Sequence, residues 1–154
     1  TNFLTLSSWN KQIRKDKYDL IICIEVIEHV SDDKLLIKNL TNLLNKNGHM
    51  LITTPSINAP LYKRGLLHDF DRRVGHLRRY EINKLHRLIA ENDLKIIESD
   101  IKESPLRNLF YTIDYFGFVI RFLKGPLSRF AMIFDDLLVK LFGGSNIFII
   151  AQKQ

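Results

Sequence analysis

The chain has 154 residues, 45% hydrophobic and 26% charged, with a formal charge of +6. That apolar fraction excludes a disordered or fibrous chain and supports one packed domain, or part of one. A single cysteine, Cys23, excludes an intramolecular disulfide and fits a reducing cytoplasm, and no signal-peptide pattern opens the sequence. Phe3–Leu6 reads as the end of a strand, Ser7-Ser8-Trp9 as a turn, and Lys11–Lys17 as a solvated charged segment. Leu20–Ile24 is the unbroken apolar run of a strand buried on both faces of a parallel sheet. Ser31 then caps a helix with Asp32 and Asp33 in its first turn, and Leu36, Leu40, Leu43 and Leu44 follow at helical spacing. Asn47-Gly48 is its stop signal, and Met50–Thr54 is the next strand. The result is a βαβ unit with Glu25, Glu28 and His29 at the carboxyl end of its first strand, where open α/β sheets bind ligands.

Ser56 to Tyr80 reads as a long loop, and loops beyond about 12–15 residues are usually functional or disordered. It holds His68, Asp69, His76, Arg78 and Arg79, and the basic character of the chain is concentrated between Tyr62 and Arg87. Ile82, Leu85, Leu88 and Ile89 mark a helix on which His86 falls at the surface, Leu94–Glu98 a strand, and Asn146–Ala151 a last strand. Between those strands, Lys102 to Gly144 reads as a helical hairpin broken at Gly125-Pro126. Asp114 and Arg121 interrupt its longest apolar stretch, which falls short of the roughly 18 residues of a membrane span. Its Phe-rich faces, flanked by Lys and Arg, suit packing on the sheet edge, a cap over an apolar substrate, a dimer face through 105–142, or a peripheral membrane contact.

Glu25, Glu28 and His29 stand at i, i+3 and i+4, so one helical turn brings the three side chains together. Two chemistries use such a group. His29 is a general base oriented by a carboxylate, or the three ligate a hard divalent ion with a histidine from the long loop. A third role is structural, with Glu28 and His29 tying down the helix start. Arg78 and Arg79 either clamp a phosphate or carboxylate or hold acidic loops such as Asp69 and Asp71.

The stretch "YDLIICIEVIEHV…LLNKNGHMLITTP", followed by "VGHLRRYEINKLHRLIAENDLKIIE", resembles class I S-adenosylmethionine-dependent methyltransferases, notably the ubiquinone-biosynthesis-like O-methyltransferases. The resemblance runs from Phe3 to Ile101 and again from Asn146 to Gln152. It implies an α/β, Rossmann-like doubly wound sheet whose last strand runs antiparallel to the others. It further implies S-adenosylmethionine as cofactor, with Ser7 or Ser8 beside the adenine and Ile24 and Glu25 at the cofactor. Acid–base work on the acceptor falls to His29, Glu28 and His76. Small-RNA 3′-terminal 2′-O-methyltransferases carry a similar Glu-x-x-Glu-His and a later His matched here by His76. That likeness implies a Mg or Mn site of Glu25, Glu28, His29 and His76.

None of the seven glycines forms a Gly-x-Gly pattern near the start. The chain is therefore read as residues 1–154 of a partial methyltransferase domain, its N-terminal strands missing and its 102–144 hairpin inserted. By that reading it binds the cofactor negligibly on its own. The expected reaction is O-methylation of a small or lipid-linked acceptor in the cytoplasm, with peripheral membrane contact a possible addition. Alternatives are 2′-O-methylation of RNA and a non-catalytic, methyltransferase-like partner subunit.

Overall fold

The computed structural model describes residues 17–112 and 126–154. The expected strand–helix–strand unit is present as β1 (Tyr18–Ile24), α1 (Asp33–Leu43) and β2 (Leu44–Pro55), with β1 and β2 parallel. A short 3-10 turn, Ile27–His29, lies between β1 and α1. Three local readings are corrected. The α1 cap is Asp32 rather than Ser31, because the Asp32 carboxylate accepts the Leu35 N–H at 2.8 Å. The helix stops at Leu43, before Asn47-Gly48, because Leu44 takes extended backbone, pairs with Tyr18 and is fully buried. Pairing and burial there override helical spacing. Asn47-Gly48 falls inside β2, and a Cβ on Gly48 would sit 3.0 Å from the Asn45 carbonyl and 3.1 Å from that of Tyr18. Glycine suits that position, where a larger residue would push on both backbones.

The long segment after Pro55 is not a bare loop. It folds into α2 (Pro60–Lys63) and α3 (His68–Val74) before α4 (Ile82–Ala90). Then come β3 (Leu94–Lys102), the hairpin helices α5 (Pro105–Thr112) and α6 (Pro126–Phe142), and β4 (Asn146–Lys153). The sheet order is β1-β2-β4-β3, with β4 antiparallel to both neighbours, as expected for the last strand. His86 is partly buried rather than superficial, its Nε2 lying 2.8 Å from the Ser99 hydroxyl and so joining α4 to β3.

One face of the sheet carries the core. Cys23, Met50, Ile52, Ile147, Ile149 and Ala151 pack there against Leu36, Ile37 and Leu40 of α1 and Leu85, Leu88 and Ile89 of α4. On the opposite face β1 is exposed, while Leu51, Phe148 and Ile150 on the neighbouring strands are half-buried. Leu20, Ile22 and Ile24 are 57%, 58% and 51% exposed, which corrects the expectation of a strand buried on both sides. Among the described residues, α1 and α4 pack on the covered face, while Met132, Asp135 and Asp136 of α6 approach Phe148 on the other. Of the hairpin, α5 and α6 are joined by the Arg107–Asp135 pair at 3.8 Å. Its link, including Phe118 and Arg121, lies outside the described residues. Phe130, Ile133, Phe134, Leu137 and Leu141 form an exposed stripe on α6. No helix among the described residues is long and apolar enough to cross a membrane.

Candidate active site

The carboxyl ends of β1 and β2 deliver the site. After β1 the chain passes through Glu25 in left-handed backbone, φ 51°, and enters the 3-10 turn that carries Glu28 and His29. This turn does not gather the three expected side chains. Glu25 diverges: its Oε1 accepts the Thr53 hydroxyl at 3.0 Å, while Glu28 Oε2 accepts the Thr54 hydroxyl at 2.9 Å. Consecutive threonines point to opposite faces of β2, so each captures one carboxylate. Burial, and next the charge of Glu28, push the Glu25 carboxyl up to about 7.

The third member arrives from the segment after β2. Leu77 N–H donates to the Glu28 carbonyl at 2.9 Å, the Tyr80 hydroxyl donates to Asp33 at 2.8 Å, and Arg78 reaches Asp33 and the Ser31 carbonyl. These bonds pin the segment onto the acidic turn and bring His76 beside His29, with ring centroids 4.8 Å apart. His76 Nδ1 lies 2.9 Å from Asp71, whose two oxygens also receive Arg79 Nε at 2.7 Å and Nη2 at 2.6 Å. Burial opposes ionisation of Asp71, yet the Arg79 hydrogen bonds hold its carboxyl below the usual range. Burial of His76 outweighs the raising effect of Asp71 and lowers the imidazole below its ordinary value.

The phosphate-clamp reading of the arginine pair is therefore overturned. Arg79 is 3% exposed and committed to Asp71, and Arg78 is committed to Asp33. Of the two acidic residues expected to be held, Asp71 meets Arg79, whereas Asp69 meets Arg72 at 3.3 Å. His68 stacks edge-on against Tyr62.

What remains is a convergence of lone pairs. The Gly75 carbonyl, 3.1 Å from His29 Nδ1, can only accept, so that nitrogen carries the proton. Ionised Asp71 likewise takes the Nδ1 proton of His76. Both Nε2 atoms then present lone pairs to Glu28 Oε1, each at 3.9 Å. That oxygen is fully buried and has no hydrogen-bond partner. Glu28, His29 and His76 thus offer three ligand atoms within 4.8 Å of one another, and Glu25 is not among them. Such an arrangement can receive a proton or hold a cation. Ile24, at the end of β1, is 51% exposed, and Ser7 and Ser8 lie outside the described residues.

A family profile described as a methyltransferase domain matches residues 6–99. Among curated proteins, the ubiquinone biosynthesis O-methyltransferase of Rickettsia akari is 38% identical over 63 residues, covering 40% of this chain and 25% of that protein. Its counterpart from Pelagibacter ubique is 48% identical over 40 residues, covering 26% and 17%. Among solved structures, an S-adenosylmethionine-dependent methyltransferase from Mesorhizobium loti aligns with a TM-score of 0.59 at 11% identity, over 92% of this chain and 64% of that one. Magnesium protoporphyrin IX methyltransferase from Synechocystis, with bound SAH, aligns at 0.54 and 11%, over 93% and 48%. These likenesses show the fold, a Rossmann-like methyltransferase sheet. The stretch matched spans about a quarter of the Rickettsia relative.

Proposed function

Because the chain belongs to the methyltransferase-domain family, we propose that it supplies the acceptor side of an S-adenosylmethionine-dependent O-methyltransferase acting on a small or lipid-linked hydroxyl compound. The observation that carries this reading is the gathering of ligand atoms of Glu28, His29 and His76 within 4.8 Å of one another. When an acceptor oxygen attacks the sulfonium methyl, the C–S bond breaks and the hydroxyl proton must leave. Nε2 of His29 or His76 takes that proton, and buried Glu28 stabilises the resulting imidazolium. Gly75 and Asp71 hold the two rings in the required tautomer. The O-methyltransferase names of the curated relatives support oxygen as the acceptor atom.

A second use of the same atoms is favoured by the orphaned Glu28 Oε1. One carboxylate oxygen and two imidazole nitrogens, from Glu28, His29 and His76, fit a transition-metal divalent ion such as Mn better than the expected Mg. A bound ion would lower the pKa of the acceptor hydroxyl. RNA is the weaker acceptor, since Arg78 and Arg79 spend their charge inside the fold. The exposed stripe on α6, with Arg129 and Lys140 on the same helix, supports contact with an anionic lipid surface presenting a lipid-linked acceptor.

The test is methyl transfer from labelled cofactor by the intact protein. His29→Ala is expected to lower kcat about 100-fold while cofactor affinity holds. Unchanged turnover at saturating acceptor removes the proton-transfer role. Loss of activity on chelation, restored by Mg or Mn, selects the cation. No transfer to quinols, sugar nucleotides or RNA ends, despite cofactor binding, selects the non-catalytic subunit.

A further inference from the structure

The cavity beside the trio has a second polar wall that the proton-transfer reading does not use. It measures about 220 Å³ and is lined by His76, Phe70, Pro55, Glu25, Asn146 and Glu103 among others. This is below the roughly 300–1,000 Å³ of a drug-sized pocket, so it takes a small acceptor or the head of a larger one. His76 lines it directly, so one member of the trio and Glu103 border the same half-open space.

Glu103 is held for that position. It follows β3 in left-handed backbone, φ 62°, its carbonyl accepting the N–H of buried Ser145 at 2.8 Å. Its Oε2 accepts the Asn146 amide at 2.9 Å. Burial pushes its carboxyl above the usual range. Of the other non-glycine residues with positive φ among those described, Asn47 and Asp93 are types that adopt it readily. The two glutamates are not, and both face this cavity.

Resting on the acceptor reading above, we propose that Glu103 is a specificity-determining residue. Its carboxyl accepts a hydrogen bond from a second donor on the acceptor, beside the hydroxyl that receives the methyl. A flat acceptor ring is accommodated by the apolar Phe70 and Pro55, and one lacking the second donor forgoes the added hydrogen bond to a carboxyl that otherwise keeps only its Asn146 bond.

Catechol and phenol are suitable probes because they differ by one donor. Affinities are read by ligand-observed NMR on the intact protein, and turnover with labelled cofactor. The wild type is expected to prefer catechol about tenfold or more. Glu103→Met should erase the preference by weakening catechol alone, through KM with kcat retained. Glu103→Gln, which keeps a carbonyl acceptor, should restore most of it, and melting curves report that each variant is folded. The proposal is overturned by a wild type without preference, by binding of neither probe, or by a folded Glu103→Met that keeps the preference or loses both probes equally. Preference without any methyl transfer would uphold Glu103 and overturn the O-methyl reading; transfer without preference would do the reverse.

Discussion

The two faces of the sheet are built from the same kind of residue and have opposite surroundings. In β1, Cys23 faces α1 and α4 and is 4% exposed, while its neighbour Ile22 is 58% exposed. In the next strands Met50 and Ile52 are fully buried, and Leu51, in register with Ile22 and Ile150, lies on the other side. The alternation is thus imposed by what packs on each face, because the residue types alone would bury both. On the side of Ile22 the branched aliphatics of β1 stay exposed among the described residues. The site lies at the rim where the covered face ends, and its side chains borrow their rigidity from that side.

The comparison can be broken or sharpened by substitution. The largest effect is expected at the rim, where Asp71→Ala strands the buried Arg79 and should cost about 3–5 kcal/mol in denaturant melts. Losing less than about 1 kcal/mol would mean that the segment after β2 is held by the backbone bonds alone. On the covered face, Ile52→Ala should cost about 2–5 kcal/mol through lost burial and a residual cavity.

A smaller and pH-dependent effect belongs to Glu25. Its carboxyl is raised from 4.5 to about 7, so between those values the folded chain binds more protons than the unfolded one. Its contribution to stability is present below about pH 4.5 and is lost as pH rises through about 7. His76, with a depressed value, contributes in the opposite sense and loses stability on acidification below 6.5. The difference between wild type and Glu25→Gln isolates the first slope, and a pH-independent difference would contradict it. The smallest effect is expected at Ile22→Ala on the open face, under about 1 kcal/mol. A cost matching that of Ile52→Ala would show the open face to be covered in solution.

Much of this arrangement was legible beforehand. The apolar runs of β1 and β2, the α4 periodicity and the Pro126 start of α6 needed only local pattern. Resemblance, not pattern, supplied the antiparallel last strand and the partnership of His76 with Glu28 and His29. Other features escaped for physical reasons. Ser31 and Asp32 are both competent caps, and only the backbone angle at Asp32 decides between them. Helical spacing carried Leu44 into α1 because periodicity does not register a strand partner. The α3 segment, His-Asp-Phe-Asp-Arg-Arg-Val, is too short for a periodic signal. The partner of Arg78, Asp33, opens the distant helix α1, and that of Arg79, Asp71, lies within the neighbouring α3, which spacing cannot reveal. Glu103 carries no sign of its left-handed backbone, since glutamate is not a residue type that announces one.

The left-handed backbone at Glu25 and Glu103 sets the two aims of protein engineering against each other here. Glycine adopts that conformation freely, so Glu25→Gly and Glu103→Gly would relax a strain of about 1–3 kcal/mol at each position. Each would also strip a carboxyl from the cavity. A library selected for heat resistance alone should therefore enrich glycine at these two positions and drift toward survivors that bind their acceptor less selectively. Heat-tolerant, active descendants would have to be sought with turnover scored in every round.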